Sequence, residues 1–94
     1  MSQISGKVKK NGISSSNRYQ SKKVSTGVYV ITFSPPLDSG EPTVLLTTNT
    51  EESGFDFFVV GASVRDVSNK GFTVNIANFD NPATDSEFNF LAID

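Results

Sequence analysis

The stretch Gly27-Val28-Tyr29-Val30-Ile31-Thr32-Phe33, followed by Ser34-Pro35-Pro36, decides how this chain is read. It is β-branched and aromatic throughout, and such side chains suit a pleated, half-buried surface. Its alternation puts Tyr29, Ile31 and Phe33 on one face and Val28, Val30 and Thr32 on the other. The two prolines end it, because proline has no N–H to give to a strand ladder. A strand with an apolar face needs partner strands and a covering layer.

Working outward, further strands are expected. Pro42-Thr43-Val44-Leu45-Leu46-Thr47-Thr48 is one, and Phe55 to Asp66 is a longer one interrupted by Gly61. A glycine inside a strand marks a bulge or a close backbone approach. Lys70-Gly71 reads as a turn that needs positive φ at Gly71, leading into Phe72-Thr73-Val74-Asn75-Ile76-Ala77. Phe72, Val74 and Ile76 share one face of that strand. Glu87-Phe88-Asn89-Phe90-Leu91-Ala92-Ile93 closes the chain, with Phe88, Phe90 and Ala92 together. No stretch carries helical apolar spacing with caps. The fold class expected is all-β: a small antiparallel β-sandwich of six to seven strands. With eight Phe and no Trp, a Phe-filled core is expected between two sheets.

Residues 1–20 are looser, rich in Ser, Lys and Asn, with Ile4, Val8, Ile13 and Tyr19 spread thinly among them. Lys10-Asn11-Gly12-Ile13 carries a hairpin signal, since Asn and Gly tolerate the positive φ of a type I′ turn. The expected organisation is a basic, Ser-rich N-terminal arm or hairpin over 1–20 and a β-sandwich domain over 21–94.

Composition narrows the chemistry. A 94-residue chain is one small domain whose thin core partner chains could help to cover. There is no His, Cys or Trp. That excludes zinc fingers, iron–sulfur clusters, disulfides, Cys nucleophiles and Ser-His-Asp triads, so no enzyme is expected. No apolar run approaches the roughly 18 residues of a membrane span, so no membrane insertion is expected. Met1-Ser2-Gln3-Ile4-Ser5-Gly6 lacks the apolar region of a signal peptide.

Charge is unevenly placed. Lys7, Lys9, Lys10, Arg18, Lys22 and Lys23 lie in residues 1–37 without an acid, whereas all ten acids follow, with Arg65 and Lys70. Either the basic segment meets an anionic partner, or it pairs with acids of its own fold or of a neighbouring protomer. Lys7, Lys9 and Lys10 have the chemistry of a phosphate clamp. Only Tyr19 stands near for base stacking, and the pI is about 4.9, so nucleic acid is not an expected partner.

Taken in order, several motifs resemble a known family. They are Gly27 to Phe33, Pro35-Pro36-Leu37, Pro42-Thr43-Val44, Val60-Gly61-Ala62-Ser63-Val64, Val67-Ser68-Asn69-Lys70-Gly71-Phe72-Thr73-Val74, and Phe88-Asn89-Phe90-Leu91-Ala92-Ile93. Together, over roughly residues 24–94, they resemble the H-type lectin domain and the similar β-sandwich modules at the tips of phage tail fibres. The resemblance implies a six-stranded antiparallel sandwich that assembles as a trimer, with sugar sites near protomer boundaries. It implies extracellular or virion-associated use. The lectins' aromatic-x-Asp element corresponds here to Asn78-Phe79-Asp80, which makes Phe79 and Asp80 candidate sugar ligands. The lectins' sites also use an Arg, for which Arg65 is the nearest candidate, and often a His, which this chain lacks.

The loop Asn78-Phe79-Asp80-Asn81-Pro82-Ala83-Thr84-Asp85-Ser86-Glu87 holds the residue types a sugar site needs. Carboxylates and amides bond hydroxyl pairs, and an aromatic face packs on C–H groups. The candidate ligand-binding residues are therefore Asn78, Phe79, Asp80, Asn81, Asp85 and Arg65; the bland alternative is a solvated Asx/Pro turn. Oxygens of Asp80, Asn81, Asp85 and Glu87 suit Ca²⁺, but no EF-hand spacing is met, because the Gly expected at the sixth position is missing. No cofactor is expected. The acidic turns Asp38-Ser39-Gly40-Glu41 and Glu51-Glu52-Ser53-Gly54 read as solvated, not as a glycosidase pair. Phe55, Phe57 and Phe58 make their strand apolar on both faces, so a partner protomer is one candidate cover. The function expected is a non-catalytic carbohydrate-binding, lectin-like module, acting as a trimer in recognition of cell-surface glycan or a host receptor. The alternative is a structural or trimerisation module of a fibre or coat protein, without a sugar site.

Overall fold

A computed structural model of the chain describes residues 3–14, 16–38, 40–49, 60–78 and 83–94. The strands are β1 (Gln3–Val8), β2 (Tyr19–Ser25), β3 (Val28–Phe33), β4 (Thr43–Asn49), β5 (Val60–Ser68), β6 (Gly71–Asn78) and β7 (Glu87–Ile93). They form a three-stranded sheet ordered β1-β7-β4 and a four-stranded sheet ordered β2-β3-β6-β5. Every pairing is antiparallel. The all-β, two-sheet expectation is met.

The alternation that defines β3, β6 and β7 also defines the core. Tyr29, Ile31 and Phe33 are buried from β3, Phe72, Val74 and Ile76 from β6, and Phe88, Phe90 and Ala92 from β7. Aromatic rings join the layers. Tyr19 and Phe72 meet Phe90 edge-on at 4.9 and 5.2 Å, and Tyr29 meets Phe88 at 5.2 Å. Such edge-to-face pairs add about 0.5–1.5 kcal/mol beyond the area they bury.

Residues 1–20 contribute to this core as well. Ile4 and Val8 of β1 are buried, and β1 pairs with β7 over its whole length, Gln3 opposite Ile93 to Val8 opposite Phe88. Asn11-Gly12 does form a turn, with the Gly12 N–H donating to the Lys9 carbonyl at 2.8 Å. The strands on its two sides do not pair with each other, because the chain crosses there from one sheet to the other.

Two local features depart from the sequence reading. β2 is an edge strand and buries only Tyr19 in full, so its sequence Tyr19-Gln20-Ser21-Lys22-Lys23-Val24-Ser25 carries little apolar alternation. Strand β5 runs in regular register through Gly61, opposite Ala77, and is bulged further on, between Arg65 and Ser68. Asp66 takes the left-handed conformation there, φ 56°, a backbone that Asp adopts more readily than most residues.

At one end of the sandwich, the Ser34–Leu37 corner is strapped to neighbouring loops. Phe33 N–H donates to the Lys70 carbonyl, Ser34 N–H to that of Arg18 and Leu37 N–H to that of Asn69, at 2.8 to 2.9 Å. The other end carries the site described next.

Candidate ligand-binding site

Four segments meet at the end of the sandwich where β7 begins. They are the turn after β1, the last residues of β2, the Thr26-Gly27 turn, and Thr84 to Glu87. The turn after β1 is held from several sides. Lys9 N–H donates to the Ile13 carbonyl at 2.9 Å, and the Asn11 Oδ1 accepts from the Ile13 N–H at 3.1 Å. The Ser21 hydroxyl donates to the Gly12 carbonyl at 2.7 Å. Gly12 is buried against β2 with φ +91°, and a Cβ there would stand 2.6 Å from the Lys23 nitrogen. Glycine is required by both the conformation and the approach.

Tyr29 braces the turn from the core. Its hydroxyl donates to the Lys10 carbonyl at 2.6 Å and accepts from the Ser86 N–H at 3.3 Å. Burial, and after it the negative charge of Asp85, pushes the Tyr29 phenol up to about 12, so it stays protonated and able to donate. The turn thus offers Lys9, Lys10 and Asn11 to solvent on a fixed backbone.

Asp85 joins the remaining pieces. Its carboxylate forms an ion pair with the Lys23 ammonium and accepts a hydrogen bond from the Gly27 N–H at 2.8 Å. Burial pulls its pKa up, but the Lys23 and Gly27 hydrogen bonds and the charges of Lys23 and Lys10 outweigh that and hold it below the usual carboxylate range. The Gly27 carbonyl in turn accepts from the Ile76 N–H at 2.8 Å, and the Ile76 carbonyl accepts from the Thr84 N–H at 3.0 Å, so β6 ties the Thr26-Gly27 turn to Thr84.

The result is an open basin of about 500 Å³ lined by Lys9, Lys10, Asn11, Lys23 and Asp85. Beside it lies Glu87, 2% exposed, with Lys7 and Lys9 each 3.6 Å from its carboxylate. The basic N-terminal segment therefore pairs, in part, with acids of its own fold.

The sequence-predicted site is divided by the structure. Asp85 lines the basin. Asn78 ends β6 opposite Val60. Phe79, Asp80 and Asn81 lie outside the described residues, as do Phe55, Phe57 and Phe58. Arg65 is not brought to Asp85. It sits on β5, at the far edge of the four-stranded sheet from β2, three strand spacings or roughly 14 Å across, and it pairs with Asp66 at 3.0 Å. Of the oxygens considered for Ca²⁺, those of Asp85 and Glu87 already face lysines, and no three acidic side chains converge among the described residues. Sequence reasoning singled out Lys9 and Lys10 for phosphate, Asn11 for its turn and Lys23 only as part of the basic segment, and gave none of them to the sugar site. The available signal was the Lys9-Lys10-Asn11-Gly12 run itself, a lysine pair leading into a tight turn.

Compared with protein-family models, curated proteins and solved structures, the chain matches none.

Proposed function

We propose that this protein is a non-catalytic carbohydrate-binding module of H-type lectin-like or tail-fibre-tip kind, working as a trimer in recognition of a cell-surface glycan. The observation that carries the reading is the basin. Its side chains are long, polar and solvent-facing, and its backbone is fixed by the Tyr29, Ser21, Asn11 and Gly27 hydrogen bonds. A preorganised polar surface suits a sugar, whose hydroxyls and ring oxygen are recognised by hydrogen bonds at known angles. The basin is wide enough for one or two sugar rings and shallow enough that affinity per site would be low. Linked copies raise such affinity without new contacts, which is the physical reason for a trimer. The outer face of the three-stranded sheet, where Leu45 is 55% exposed opposite the half-buried Leu91, supports association between copies.

The test is a glycan array on the labelled protein, run with Ca²⁺ and again with EDTA. Hits on a related set of sugars, unchanged by EDTA, are expected. A blank array at high protein concentration would overturn the reading in favour of a structural module.

A further inference from the structure

Among the described residues, the side chains that line the basin are rich in donors and poor in free acceptors. Lys9, Lys10 and Lys23 bring ammonium groups, which only donate. Asn11 has its Oδ1 on the Ile13 N–H, which leaves its amide nitrogen as the group to offer. Among the described residues, the carboxylate that lines the basin is Asp85, with Oδ2 on Lys23 and Oδ1 on the Gly27 N–H. A neutral sugar brings donors and acceptors in similar number, and its hydroxyl hydrogens would find little here to accept them. An anionic group brings acceptors alone.

The local charge agrees. Lys7, Lys9, Lys10 and Lys23 stand against Asp85 and Glu87 around the basin, an excess of two cations among the described residues. Lys10 has no ion-pair partner among the described residues, and its backbone is fixed by Tyr29 while its side chain is exposed. This excess is local, since the chain as a whole carries a net charge of −2. A polyanion of any kind would be repelled by the rest of the surface, so the ligand is one that presents a single anionic group to this end of the sandwich.

We infer that the glycan recognised by this basin is an acidic one, whose carboxylate, sulfate or phosphate group is bound by Lys10, Lys23 and the Asn11 amide. The inference rests on the carbohydrate-binding reading and names the substrate class of the same site. Lys10 is the cation without an ion pair among the described residues, and Lys23 is the cation that Asp85 holds in position. Charge-assisted hydrogen bonds from ammonium to such a group are about twice as strong as neutral ones.

The experiment is calorimetric titration of the whole chain with matched pairs of small probes that each carry at most one anionic group: methyl galacturonoside against its methyl ester, and monosulfated against unsulfated lactose. Binding of the acidic member at least about tenfold tighter than of its neutral partner, weakening as salt rises, is expected. The galacturonoside and sulfated-lactose arms separate carboxylate from sulfate recognition. Lys10→Glu should abolish the preference. Lys22→Glu, the same charge change on the opposite face of β2 and outside the basin, should leave it intact. Circular dichroism of both variants should match the parent, and both should melt cooperatively, since both side chains are exposed. Equal binding of neutral and acidic members, insensitive to Lys10→Glu, would overturn the acidic specificity and keep the glycan reading. Loss of the preference in both variants alike would overturn the basin as its seat. Binding of sulfate or phosphate ions alone, with no gain from the sugar, or no binding to any probe, would overturn both readings.

Discussion

The Tyr29 hydroxyl reaches from the core to the Lys10 carbonyl, 2.6 Å away and 19 residues earlier in the chain. One buried side chain thereby links the hydrophobic layer between the sheets to the turn that carries the exposed lysines. The same oxygen accepts from Ser86 N–H, so the start of β7 is registered by it as well.

Removing that oxygen should loosen the basin without opening the core. Tyr29→Phe keeps the ring against Phe88 and leaves the Lys10 carbonyl and Ser86 N–H short of a partner. A loss of about 1–3 kcal/mol is expected in chemical denaturation. A variant as stable as the parent would show that water replaces the hydroxyl at no cost.

The same residue gives an alkaline limit. Its pKa in the folded protein, about 12, lies above the ordinary value of 10, so folding favours the protonated phenol. That contribution is complete below pH 10 and is lost as pH rises from 10 through 12; two units correspond to about 2–3 kcal/mol. Tyrosinate absorbance followed with pH should show one phenol titrating late, together with unfolding, and Tyr29→Phe should lose that phase.

Asp85 sets the acid side. Its pKa is held below the ordinary 3.8, so its ionised form stabilises the fold at neutral pH, and that stability is lost as pH falls through and below 3.8. Asp85→Asn should destabilise the protein by about 1–2 kcal/mol at pH 7, from the weakened bonds to Lys23 and Gly27 N–H. The gap between variant and parent melting temperatures should narrow at pH 3. A gap that is constant with pH would place the effect in packing.

Phe90 is the aromatic centre of the sandwich, edge-on to both Tyr19 and Phe72 and 3% exposed. Phe90→Ala should cost about 3–5 kcal/mol, which is most of the stability of a domain this small. Loss of the near-ultraviolet circular dichroism at 25 °C is the expected sign, and a cooperative melt close to that of the parent would contradict it.

Gly71 begins β6 at φ +152°, paired with Thr32, and a Cβ there would collide with the Ile31 carbonyl. Gly71→Val should therefore abolish folding or lower the melting temperature by well over 10 °C, several kcal/mol in a chain of this size. An unchanged melt would mean that β3 and β6 can move apart at this point.

How far the sequence reaches depends on the range of the interaction. The faces of β3, β6 and β7 are legible because a strand turns its side chains to alternate sides, so Tyr29-Ile31-Phe33, Phe72-Val74-Ile76 and Phe88-Phe90-Ala92 announce a core without reference to anything distant. Turns are legible for the same local reason, at Asn11-Gly12 and Lys70-Gly71. Strand β2 is not, because an edge strand is held by its ladder to β3 and needs only Tyr19 to face inward. The bulge also escapes, since Gly61 has the composition of one while Asp66 has the backbone.

The amino-acid sequence by itself determined that this is an all-β protein with a Phe-filled core, and that its chemistry has no His, Cys or Trp to draw on. Only the tertiary structure decided which strands share a sheet, and so which loops share an end. Lys10 meets Tyr29, Lys23 meets Asp85 across 62 residues, and Arg65 is carried to the far edge. Such pairings depend on how two sheets close over one another, and no local pattern encodes that closure because its free energy comes from contacts far apart along the chain.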